Sequence, residues 1–132
     1  MIGAENDGGA VAHWYHNAYD RLLQDTPYGF PSIEALSAPA SCALERGARS
    51  APLLMINHWL DTGGFPPKAL ADEANSLDLL LERAEACRKR RGQTPTIVAV
   101  DFYADGKLRA AIDHLNRVDV PEALVAATGL PS

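Results

Sequence analysis

The chain has 132 residues, 47% of them hydrophobic and 22% charged, with a formal net charge of -5 and a pI near 5.2. This length suits one ordinary domain, and this apolar content supports a packed core, which excludes a globally disordered chain. The acidic balance argues against non-specific nucleic-acid binding, which needs a basic face, and no run approaches the roughly 18 consecutive apolar residues of a membrane span.

Met1-Ile2-Gly3-Ala4 reads as the end of a strand and runs at once into the loop signature Glu5-Asn6-Asp7-Gly8-Gly9, with no signal-peptide pattern. The spacing of Tyr15, Tyr19 and Leu22 predicts a short helix within residues 13–24. A short strand is expected to end near Asp25, because Pro27, Gly29 and Pro31 forbid regular helix just beyond it. Ser32 is placed to cap a helix that begins at Ile33 and includes Leu36. The apolar run Pro52-Leu53-Leu54-Met55-Ile56-Asn57-His58-Trp59 predicts a strand that ends in polar groups. Residues 60–67 read as a loop loosened by Gly63-Gly64.

Residues 68–91 give the clearest helix signal, with Leu70, Ala74, Leu77, Leu81 and Ala84 on one face. Asn75-Ser76 followed by Asp78 predicts a break with a new cap inside it. The basic cluster Arg88-Lys89-Arg90-Arg91 reads as a solvated face complementing the helix dipole, and Gly92 as the stop. Thr96-Ile97-Val98-Ala99-Val100 then predicts a strand buried on both faces, with Asp101 at its C-terminal end. Asp105-Gly106 turns the chain. Leu108, Ala111, Ile112 and Leu115 line a last helix, and residues 121–132 read as a frayed tail.

Strands alternating with long crossovers predict an α/β fold with a parallel sheet and outer helices. In such folds the C-terminal ends of the strands carry the chemistry. Asp101, Asn57 and His58 therefore mark one candidate rim. Strand alternation lets only one of Asn57 and His58 face a given side. Gly-rich phosphate-binding patterns are absent, which disfavours nucleotide binding. Cys42 and Cys87 have neither C-x-x-C spacing nor a neighbouring histidine pair, so no metal site is expected. A bridge and two buried thiols both remain open on composition.

The ordered set Trp14-Tyr15, Gln24-Asp25-Thr26-Pro27-Tyr28, Ser41-Cys42, Arg46-Gly47, Pro52 to Trp59, Ala74-Asn75, Cys87, Val98 to Tyr103 and Leu115-Asn116 resembles the PLC-like phosphodiesterases. These are relatives of the phosphatidylinositol-specific phospholipase C catalytic domain. The resemblance covers most of residues 5–116 and concerns the C-terminal half of that domain. It implies a partial TIM-type (β/α) barrel over residues 1–120, roughly its last three to four strands. Met1 coincides with the middle of a family strand, so the chain resembles a truncated or degenerate member.

The activity implied is cleavage of a phosphodiester such as a phosphoinositide by acid–base catalysis, without a cofactor. One imidazole deprotonates the attacking hydroxyl and another protonates the leaving oxygen. A carboxylate must orient the base, and Asp101 matches that position. Nothing here matches the family's two catalytic histidines or its phosphate-binding arginine. His13, His16 and His114 read as structural or exposed, so the chain alone is expected to be inactive. Asp25 and Tyr28 resemble substrate contacts, a carboxylate for sugar hydroxyls and a ring for an apolar sugar face. Asn57, His58 and Glu5 are expected on the same rim, and Trp59 and Phe65 near its mouth or in the core. The expected partners are a phosphodiester or phospholipid headgroup and either the missing half-barrel or a second copy. The resemblance also implies a Cys42–Cys87 disulfide and an exported, oxidising location. A competing expectation is a non-catalytic binding or self-assembling half-barrel, whose sheet edges would seek partners.

Overall fold

A computed structural model describes residues 2–4, 15–64 and 68–117. Two parallel sheets organise them. Strands β1 (Ile2–Ala4) and β2 (Tyr15–Asn17) form one pair. Strands β3 (Leu23–Asp25), β4 (Leu53–His58) and β5 (Ile97–Val100) form an open sheet in the order β3-β4-β5. The register sets Asp25 beside Met55 and His58 beside Val100. All three strands run the same way, so Asp25, Asn57-His58 and Asp101 emerge at one rim.

The fold is therefore mixed α/β with long crossovers, as the alternation of elements predicts. Between β3 and β4 lie helix α2 (Ile33–Ser37) and a 3-10 turn, Pro39–Cys42. Ser32 caps α2 as expected, its hydroxyl accepting from the Ala35 amide at 3.2 Å. Between β4 and β5 lie α3 (Lys68–Ala74) and α4 (Leu77–Arg91), broken at Asn75-Ser76 as predicted. Gly92 ends α4 in the left-handed conformation, its N–H bonding the Arg88 carbonyl at 2.9 Å. The final helix, α5, spans Leu108–Leu115 and buries Ala111. The frayed tail expected over 121–132 lies outside the described residues.

The structure corrects four expectations. The helix predicted within residues 13–24 is a single turn, α1 (Ala18–Arg21), because β2 occupies Tyr15–Asn17. The Asn17 side chain accepts from the Tyr19 amide and so starts the helix late. Strand β5 is not buried on both faces. Among the described residues it pairs only with β4, Val98 to Val100 are half-buried, and Ile97 is 40% exposed. The buried stripe of α4 is Leu80, Arg83, Ala84, Cys87 and Arg91, because the break at Asn75 resets the helix phase. Finally, Arg91 is not solvated: it donates to the Ala43 carbonyl at 3.0 Å and to Gln24 Oε1.

The opposite edge of the sheet is occupied. Glu45 N donates to the Asp25 carbonyl and Asp25 N to the Arg46 carbonyl, each at 3.1 Å. Gly47 is required there: its φ is +80°, and a Cβ would stand 2.1 Å from the Leu23 carbonyl oxygen. Two apolar clusters flank β4. Phe30, Leu36, Leu60 and Ala74 pack at its C-terminal end, and Cys42, Ile56, Ala84 and Cys87 beside its middle. Cys42 and Cys87 form a disulfide with Cα atoms 4.9 Å apart, inside the range such a bond requires.

Candidate functional site

The rim begins where β3 meets Pro27. That residue has no N–H to continue the ladder, and pairing resumes only at Phe30, which bridges Leu60. Residues 27–29 therefore loop off the sheet, while Thr26 N still donates to the Met55 carbonyl. Gly29, at φ +69°, turns the chain back, and Tyr28 stands 52% exposed at the tip.

Beneath Tyr28 lies a saturated carboxylate. Asp25 is fully buried. Its Oδ1 accepts from the Arg46 amide at 2.9 Å. Its Oδ2 accepts from Arg46 Nε at 2.9 Å, Tyr19 OH at 3.0 Å and Asn57 Nδ2 at 3.2 Å. Arg46 also ion-pairs with it through its terminal nitrogen. The Arg46 guanidinium lies over two rings, 4.3 Å from the centre of Tyr19 and 5.1 Å from that of Tyr28. Trp59 stacks on Tyr28, the ring centres 6.2 Å apart. A ligand approaching this part of the rim would meet Tyr28 and the edge of Arg46 first, with Asp25 and Asn57 below.

Asn57 and His58 point to opposite faces of the sheet, as alternation requires. Asn57 Nδ2 reaches Asp25 and, at 2.7 Å, the Thr26 carbonyl. Its Oδ1 is buried with no hydrogen-bond partner among the described residues. His58 turns toward the helices. Its Nε2 donates to the Ala74 carbonyl at 2.7 Å, and Nδ1 accepts from Arg83 Nη1 at 3.2 Å. Both ring nitrogens are thus engaged by the chain itself.

Arg83 ties these parts together from inside. It bonds Ser41 Oγ and the Ser41 carbonyl, the Asn57 carbonyl and His58 Nδ1, all neutral acceptors. Burial lowers its guanidinium to about 10, which leaves it charged at neutral pH. The Phe30 ring faces it at 4.9 Å.

Burial pushes the His58 ring down to about 4, with the Arg83 charge adding to the effect and the Ala74 bond opposing it. Unfolded, the ring protonates near 6.5. The unfolded chain therefore binds the extra proton between these values, and stability falls as pH drops through that window. The expected loss is about 3 kcal/mol by pH 4. Urea midpoints compared between the wild type and His58→Gln isolate it, since the variant should lack this component. Equal pH slopes in the two proteins would refute it.

Asp101 follows β5 directly and is exposed. Two strand spacings, roughly 10 Å, separate its strand from that of Asp25. It borders a depression lined by His58, Trp59, Leu60, Ala74 and Asn75, with room for about one water molecule. Its carbonyl accepts from Asn75 Nδ2 at 2.8 Å. Phe102, next in the chain, has a φ of +51°, a strained value for a bulky residue.

The rim thus brings together Asp25, Tyr28 and Asn57, with Asp101 two strands away and His58 turned inward. Glu5, His13 and Phe65 lie outside the described residues. Reading the chain for chemistry missed Tyr19, Arg46 and Arg83 as members of this network. Arg46-Gly47 stood out as a motif, but no local pattern tells that a loop arginine returns to a strand-end aspartate. No helix among the described residues is long and apolar enough to cross a membrane, and they contain no group of three or more His, Cys, Asp or Glu arranged to hold a metal ion. Comparison with protein-family models, curated proteins and solved structures finds no match to the chain.

Proposed function

We propose that this chain forms part of a phospholipase C-like phosphoric diester hydrolase, its sheet being a section of a TIM-type barrel rim. The observation that supports this reading is the convergence of Asp25, Asn57 and Asp101 at the C-terminal ends of three adjacent parallel strands, the end where α/β enzymes place their chemistry. In this reading Asp101 orients an imidazole base, and Tyr28 with Arg46 meets the sugar face and charge of a phosphorylated headgroup. The imidazoles themselves would come from strands outside this sheet, because His58 is engaged inward and His114 lies exposed on α5.

The test is direct. Titration of the 132-residue chain with inositol 1-phosphate, followed by NMR, should perturb Tyr28, Trp59 and Arg46 at millimolar ligand, with Tyr28→Ala abolishing the response. A spectrum unchanged at saturating concentrations would sink the reading. The isolated chain is expected not to hydrolyse phosphatidylinositol; turnover lost on Asp101→Asn would show instead that it holds a base of its own. Export to an oxidising compartment belongs to the same proposal, the disulfide being its support.

A second reading is favoured by β5, which among the described residues pairs on one side only and exposes Ile97. Such an edge is a template for pairing, and the chain would then act as a non-catalytic assembling module. Light scattering at micromolar concentration separates the two: a monomer there counts against edge-driven assembly.

A further inference from the structure

We propose that Asn75 is a positioning residue for Asp101, an assignment that rests on reading Asp101 as the working carboxylate. Asn75 is buried, 1% exposed, in the break between α3 and α4. Its side chain does not continue either helix. It reaches across to the loop after β5, where Nδ2 donates to the Asp101 carbonyl at 2.8 Å and the Asp105 carbonyl at 3.4 Å. Its own carbonyl accepts from Lys107 N at 2.8 Å. One residue thus grips both ends of the loop Asp101–Asp105.

The grip is tight. Gly106 passes so close that a Cβ would stand 2.5 Å from Asn75 Cβ, and its φ is +83°. Lys68, at the start of α3, adds an ion pair to Asp105 at 2.9 Å. Within the loop, Phe102 is held at positive φ with its ring 40% exposed, and Tyr103 is 80% exposed. Neither aromatic side chain is buried enough to explain the backbone strain by packing. A left-handed aromatic residue persists only where its surroundings over-determine it, and here the bonds to Asn75 supply that constraint. The bond to the Asp101 carbonyl fixes the peptide plane that follows its Cα and, with the β5 ladder before it, sets where the Asp101 side chain leaves the strand. The neighbouring residue, Ala74, anchors His58 through its carbonyl. The helix break therefore fixes the ends of β4 and β5 together, and Asn75 is the part of it that acts on Asp101.

The experiment uses the full 132-residue chain and NMR. In the wild type, the Asn75 side-chain amide protons should show contacts to Asp101 and Phe102 and slowed exchange with solvent; fast-exchanging protons without those contacts would overturn the assignment even if no variant folds. In Asn75→Asp, whose carboxylate cannot donate to carbonyls, the Phe102 13Cα and 13Cβ shifts should lose their left-handed pattern and the Asp101 carboxyl signal should move. The Leu54 and Ile56 signals of the sheet should stay in place. Gly106→Ala, which pushes the loop off an intact Asn75, should give the same signature. A folded Asn75→Asp with Phe102 still left-handed and the Asp101 signal unmoved would refute the proposal. If the signature appears while inositol 1-phosphate perturbs neither protein, the positioning role stands and the phosphodiesterase reading falls.

Discussion

Replacing Asp25 with alanine is expected to destabilise the chain by roughly 3–5 kcal/mol, the range for breaking a buried ion pair by removing one partner. Asp25 is fully buried and accepts from three side chains and one backbone amide. Without it the Arg46 guanidinium loses the bonds it makes to the Asp25 carboxylate, and of its acceptors among the described residues the Asn57 amide keeps the Thr26 carbonyl. Asp25→Asn should recover little, because its amide would present donors to donors. Urea denaturation followed by tryptophan fluorescence reads the loss, since Trp59 stacks on Tyr28 above the site. A change below about 1 kcal/mol, the level of an exposed pair, would show that the carboxylate is not the hub of this rim.

Reducing the Cys42–Cys87 disulfide should cost about as much. The bond closes a loop with a sequence separation of 45, worth about 4 kcal/mol in the chain-entropy model. For a chain of this size that is on the order of a 10–15 °C drop in melting temperature. The effect should reach the rim. Ser41, beside Cys42, supplies two of the acceptors that hold Arg83, and Arg83 in turn holds the Asn57 carbonyl and His58. Thiol titration of the oxidised, unfolded chain should find no free cysteine, and reductant should lower the midpoint. A melting curve indifferent to reductant would refute both the stabilisation and the argument for an oxidising compartment.

The elements that could be read from the chain are those with local causes. Ser32 caps α2 through its own hydroxyl, Gly92 stops α4 through its own backbone, and the apolar run at Leu53–His58 makes a strand wherever it is buried. The helix break at Asn75-Ser76 was legible for the same reason, although Ser76 makes no side-chain cap bond. What it is for was not, because its partners Asp101 and Asp105 lie 26 and 30 residues away. Burial of Arg83 and Arg91 was equally hidden. On a helix they look like solvated cations, and acceptors brought in from distant residues make their burial possible. The aspect of β5 depended on its neighbours too: Ile97-Val98-Ala99-Val100 is apolar enough for a central strand, yet among the described residues it has a partner on one side only.

The parallel sheet has a further consequence, for how fast the chain folds. Every contact that knits the strands joins distant residues: Asn57 N reaches Thr26 Oγ1 across 31 positions, and Leu54 N reaches Thr96 Oγ1 across 42. Among the described residues no hairpin offers a cheap first step. Loop-closure entropy must be spent before either crossover repays it, which places such topologies among slow folders, in milliseconds to seconds. The disulfide joins the turn before β4 to α4 after it, so an oxidised chain begins refolding with its search for long-range contacts already shortened. Refolding from urea should accordingly be faster with the bond intact than after reduction, and the strand that waits longest for its partner should be β5.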